Sequence, residues 1–146
     1  MRTRYPKYTK LLIGLTLTLS PLFAAAQFTN TQKMTAQVPF EFTIASKAFP
    51  AGRCIVQKVT DSGSILRVSN GDAKIAFAVA SPVETGGTAS PGSALIFHRY
   101  GDRYFLWGMK IEGTRIVYRL PEGKLEKELR AQLGPATDKI LVSSLQ

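Results

Sequence analysis

The chain reads as a small, mainly β domain, an antiparallel barrel or sandwich with one C-terminal helix and a last strand. Three observations predict this class. Residues 38–44 alternate apolar and polar side chains, as a half-buried strand does. Turn signals (Pro50-Ala51-Gly52, Asp61-Ser62-Gly63, Asn70-Gly71, Gly101-Asp102, Glu112-Gly113) recur at short spacing, which favours strands joined by hairpins over alternating βαβ units. Leu125, Leu129 and Leu133 recur at a helical spacing in one segment only.

The first 26 residues read as an address and not as structure. Arg2, Arg4, Lys7 and Lys10 precede the apolar run 11–19, Pro21 breaks that run, and Ala24-Ala25-Ala26 supplies small residues for a signal peptidase. A spanning helix needs about 20 apolar residues, more than this segment offers. A lipoprotein would carry a cysteine after the cleavage point, where Gln27 stands, and Thr3 separates the two arginines that a twin-arginine signal would place together. The expectation is export to the periplasm or beyond, as a mature chain of 120 residues with no transmembrane segment. The mature charge is then +5 against +9 for the whole chain. That favours solubility and a weak attraction to anionic surfaces, and does not by itself imply nucleic acid.

Within the mature chain, 27–37 is polar and aperiodic and is expected to be a loose leader before a single domain over 38–146. Pro39 lacks a ladder donor, so the 38–44 strand should start at an edge. Strands are expected over 53–59 and 65–69, with Asn70-Gly71 returning the chain as 73–80. Residues 81–93, rich in Pro and Gly, read as a long loop. Strands over 94–100 and 103–111 should pair about Gly101-Asp102, with glycine in the first position of a type II′ turn. A strand over 115–120 leads into a helix over 121–133 with Pro121 in its first turn and Gly134-Pro135 as its stop. Its three leucines should dock on the β-sheet, its charges form a solvated face, and Lys124–Glu128 and Glu126–Arg130 pair along it. A last strand is expected over 139–145. Cys54 alternates with Val56 in an apolar run, which predicts a buried, unpaired thiol.

Known chemistries are largely excluded by composition. One His and one Cys cannot build a zinc or copper site from nitrogen and sulfur ligands. No phosphate-binding glycine loop, nucleophile elbow or calcium loop is present. No catalytic residue, metal or cofactor is therefore expected. What remains is the hairpin 97–107. Its two-residue period places His98, Tyr100, Arg103, Phe105 and Trp107 on one face, and Phe97, Arg99, Tyr104 and Leu106 on the other. His98, Arg99, Tyr100, Arg103, Tyr104 and Trp107 are the candidate ligand-binding residues, suited to an anionic envelope component or a glycan because arginines beside aromatic rings attract anions. The competing reading of the same residues is structural, with the aromatics as core and the arginines as rim. An acid–base pair of His98 with Asp102 is the weaker option, since the two flank a turn.

The stretches Val38-Pro39-Phe40-Glu41-Phe42, Phe49-Pro50-Ala51-Gly52 and Leu95 through Leu106, the last holding Phe97-His98-Arg99-Tyr100-Gly101-Asp102-Arg103-Tyr104-Phe105-Leu106, resemble a family of small exported bacterial proteins with no established activity. Its pattern is P-F-x-F, then P-A-G, then F-x-R-Y-G-D-x-Y-F-L, then a charged helix. Cys54 stands where that pattern has an aromatic. The resemblance implies export and a single domain, and carries no catalytic residue. The functional expectation is an exported, non-enzymatic β-domain, a structural or binding module of the bacterial envelope. The alternatives are a small secreted hydrolase with an unrecognised site, a binder of an anionic or sugar-like ligand through 97–107, and a single-stranded nucleic-acid binder, which export disfavours.

Overall fold

The computed structural model describes residues 33–62, 64–71, 74–142 and 144–145. The expected signal peptide and cleavage point lie outside them. Twelve strands and one helix follow in chain order: β1 (Lys33–Val38), β2 (Phe42–Ile44), β3 (Lys47–Phe49), β4 (Gly52–Lys58), β5 (Ile65–Asn70), β6 (Lys74–Val79), β7 (Ser81–Glu84), β8 (Ala94–Tyr100), β9 (Arg103–Lys110), β10 (Ile116–Arg119), α1 (Lys124–Leu133), β11 (Thr137–Val142) and β12 (Ser144–Leu145).

The strands form a sandwich and not a closed barrel. One sheet has the order β12-β1-β4-β5-β6, the other β11-β8-β9-β10-β7, with β2 and β3 attached to the second through β9. Among the described residues every pairing is antiparallel except β2 with β9, where Thr43 meets Phe105 in parallel. The core lies between the sheets. Met34, Val38, Cys54, Val56, Leu66 and Val68 of the first meet Leu95, Phe97, Leu106 and Met109 of the second. Such alternation of buried and wet positions is what the two-residue period dictates. Cys54 is buried and unpaired, as its place beside Val56 predicts, and burial pushes its thiol up to about 12.

Several boundaries differ from the sequence expectation, each for a local reason. The 27–37 leader is not loose throughout, because Lys33–Val38 is β1 and pairs along β4 from Lys33 to Val38. The 38–44 strand is two strands. β1 ends at Val38 and β2 starts at Phe42 in the other sheet, and Pro39, without an N–H to give the ladder, stands at the crossing. Ala45 and Ser46 take positive φ (45° and 69°) and fold β2 onto β3. Asn70 pairs with Lys74, so three residues and not two make that turn, with 72 and 73 outside the described residues. The 81–93 loop begins as β7, which tolerates Pro82 because it lies at a sheet edge. The single last strand is two, β11 beside β8 and β12 beside β1, so the chain end passes from one sheet to the other.

The helix departs most. It begins at Lys124 and not at Pro121, with Gly123 as its N-cap, and ends at Gly134, whose N–H donates to the Arg130 carbonyl. The leucine stripe does not dock: Leu125 and Leu133 are exposed and Leu129 is half-buried. The buried residue of α1 is Glu126, at 4% exposure.

Candidate functional site

The β8–β9 hairpin builds the site floor. Its turn has the expected register, with Tyr100 opposite Arg103, Arg99 opposite Tyr104 and His98 opposite Phe105. Gly101 carries a φ of 59°, which an L side chain resists. A bulge follows. Phe97 pairs with Leu106 but Ile96 pairs with Gly108, which leaves Trp107 as the extra residue of β9. The bulge turns the Trp107 ring onto His98, stacked at 4.9 Å. The Trp107 carbonyl accepts from the Leu120 N–H at 2.8 Å, which extends the β9–β10 register one pair beyond Arg119 opposite Gly108. That bond carries the chain leaving β10 over this face and sets Glu122 and α1 above His98.

Of the six candidate residues, the structure brings three together. His98 and Tyr100 lie under α1, and Trp107 is joined to them through His98 with Arg119 4.8 Å over its ring; Tyr100 is buried and the other two are half-buried. Tyr104 instead stacks on Phe40 at 3.8 Å beside the core. Arg99 is exposed, lies 5.7 Å from the Tyr104 ring and donates to the Gly101 carbonyl. Arg103 is exposed at the turn. His98 has no part with Asp102, whose ion-pair partner is Arg99 at 4.0 Å.

The partner of His98 is Glu126. Nδ1 stands 2.8 Å from Glu126 Oε1, and Nε2 stands 3.7 Å from Asp138 Oδ1 on β11. Burial pushes the Glu126 carboxyl above its ordinary range. The hydrogen bond and charge of His98 pull it down, Glu122 adds to the rise, and Arg130 opposes it. Tyr100 is also raised, first by desolvation and then by the charges of Glu126 and Glu122. Arg130 pairs with Glu122 at 3.0 Å, and not with Glu126 as its spacing suggested, while Lys124 does reach Glu128 at 3.9 Å. Among the described residues, ligand atoms of His98, Glu122 and Glu126 converge within 4.8 Å of one another.

Glu126 and Glu122 also line a cleft. It opens where edge strand β6 meets β2, β9 and the segment entering α1, with a volume of about 310 Å³. Phe77, Val79, Phe105, Leu106, Leu120 and Pro121 supply its apolar wall. Sequence reasoning placed Glu122 and Glu126 on a solvated face. The available signal was their spacing of four with Arg130 four further on, which would put all three on one stripe of the helix expected over 121–133.

No protein family, curated protein or solved structure matches this chain. No helix among the described residues is long and apolar enough to cross a membrane.

Proposed function

We propose that this chain is an exported, non-enzymatic binding module of the bacterial envelope that holds a small, mainly apolar ligand in the cleft between β6 and α1. One observation carries the reading. A cleft of about 310 Å³ has apolar walls and ends on a carboxyl that the fold buries. Ligand sites of small molecules have this make-up, an apolar surface with a few placed polar groups, and this volume falls at the small end of their range. Phe77 and Val79 favour the same reading. They are 61% and 66% exposed, so the fold leaves large apolar groups in water at the cleft mouth. The arrangement of Lys, apolar run and alanines before Gln27 supports export.

The test is titration with a solvatochromic apolar dye such as Nile red, comparing wild type with Phe77→Asp. Phe77 is mostly exposed, so the variant should fold. Saturable fluorescence in the wild type, weakened roughly tenfold or more by the variant, is the expected result, since a charge at an apolar wall costs at least about 1.4 kcal/mol. Equal dye binding by both proteins, or none by either, removes the cleft as the binding site.

A further inference from the structure

We propose that His98, Glu122 and Glu126 form a binding site for one divalent transition-metal ion, with Zn²⁺ the best match to the ligand set. The geometry comes first. Two carboxylates four residues apart, one just ahead of α1 and one in its first turn, and one imidazole from β8 place three ligand atoms within 4.8 Å. Ligands about 2.1 Å from a tetrahedral zinc ion stand about 3.4 Å apart, so closure asks for a side-chain shift of roughly 1–1.5 Å at most. Glu122 can supply it, because it lies ahead of the helix and is one-fifth exposed.

The surroundings fit an ion as well. A metal-bound imidazole gives its other ring N–H to a carboxylate or carbonyl. With Nδ1 on the ligand side, Nε2 faces Asp138, whose Oδ1 at 3.7 Å is within ion-pair distance and one small side-chain shift from a hydrogen bond. The Trp107 ring fixes the imidazole plane by stacking at 4.9 Å. Two carboxylates neutralise a divalent charge, and because Glu122 Oε1 pairs with Arg130 at 3.0 Å the ion takes the other oxygen of Glu122 or displaces that pair. The cleft adjoins the cluster, because Glu122 and Glu126 both line it while His98 stands behind them. An ion held by three protein ligands would turn its remaining position toward that space, the arrangement of zinc sites that bind an exogenous molecule.

The burial pattern of α1 is the further argument. A helix with leucines at 125, 129 and 133 would ordinarily turn that stripe inward. This one turns Glu126 inward and leaves Leu125 and Leu133 in water. A buried carboxylate is costly without a charged partner. His98 offers a hydrogen bond at 2.8 Å, and a cation shared with Glu122 would offer the charge.

The experiment uses untagged full-length chain, stripped with chelator and titrated with Zn²⁺ by calorimetry, with Co²⁺ as a spectroscopic reporter. The expected result is one ion per chain with a dissociation constant below about 10 µM, and visible Co²⁺ bands of a four- or five-coordinate site. Glu122→Gln should weaken binding at least about tenfold, and His98→Gln should remove the Co²⁺ bands. Glu122 is not in the core, and circular dichroism of that variant confirms that it folds. Absence of saturable binding below about 100 µM, or binding that Glu122→Gln leaves unchanged, overturns the site. Dye binding in the cleft is measured without metal, so failure of either reading leaves the other standing.

Discussion

The β8–β9 hairpin presents two faces that differ in kind. Phe97, Tyr104 and Leu106 pack toward the core, where Phe97 makes edge contacts with Phe40 of the crossing segment at 5.2 Å and with Phe42 of β2 at 5.3 Å. The opposite face carries His98, Tyr100, Phe105 and Trp107, and the element covering it brings Glu126, with Glu122 and Arg130 beside it. The first face is satisfied by any apolar surface of the right shape. The second holds an imidazole with two ring nitrogens, so its cover must carry a hydrogen-bond partner. That requirement explains why α1 docks through a carboxylate. A leucine stripe in that place would leave the imidazole N–H orphaned in an apolar interface.

The contrast can be broken by deleting one ring from each face. Phe97→Ala should cost about 3–5 kcal/mol, because Phe97 is wholly buried and leaves a cavity between two sheets. Trp107→Ala should cost roughly 1–2 kcal/mol, since the ring is only half-buried against His98. Urea denaturation measures both. A larger loss from Trp107→Ala would mean that the helix-covered face, and not the sandwich interior, holds the fold together.

Alkaline titration sharpens the comparison from the other side of the core. Cys54 faces the packed interior, and burial raises its thiol from 9.0 to about 12. An acid whose folded pKa is raised stabilises the fold fully below the unfolded value and loses that contribution as pH rises through the folded one. Stability should therefore fall between about pH 9 and 12, by up to about 4 kcal/mol at about 1.36 kcal/mol per unit. Tyr100 on the other face is raised as well and adds to the same slope. Cys54→Ala should remove the thiol part alone. Denaturation midpoints measured from pH 8 to 11.5 check this, and an equal alkaline loss in wild type and Cys54→Ala would show that the thiol is not in a dry core.

The hairpin was legible because its turn chemistry and two-residue period are local. Gly101-Asp102 and the flanking residues suffice to derive the register from Phe97 to Leu106. Cys54 was legible for the same reason. The split of 38–44 was not, although Pro39 marked the place. Alternation survives the crossing between sheets, with Val38, Phe42 and Ile44 all buried, so the period alone cannot report a change of sheet. The bulge at Trp107, which sets which rings meet, had its local mark in Gly108, a glycine inside a strand, and the two-residue period passed over it. The candidate site was half legible. His98, Tyr100 and Trp107 come from one hairpin, whereas Glu122 and Glu126 arrive from a segment that only the tertiary fold places there. Helical periodicity identified an apolar stripe correctly and assigned it the wrong partner, because hydrophobicity ranks leucine above glutamate without knowing what the sheet face offers.

The smallest expected effect tests that assignment directly. If α1 docked through its leucines, replacing one would cost about 2–5 kcal/mol, the range for a buried leucine. With Leu125 at 40% and Leu133 at 58% exposure, each Leu→Gln change should instead stay within about 0.5 kcal/mol. Glutamine is the appropriate replacement because its helix propensity is close to that of leucine, so the measurement reports docking and not helix formation. Leu133 deserves its own variant, since its Cδ1 would lie 3.9 Å from a Cβ placed on Gly101 and so covers the hairpin turn. Thermal and urea midpoints of Leu125→Gln, Leu133→Gln and the double variant give the reading. Losses above about 2 kcal/mol in either single variant would mean that the helix is rolled about its axis, with the leucines inward in place of Glu126. Glu126 would then leave His98, and the difference between the two hairpin faces would disappear with it.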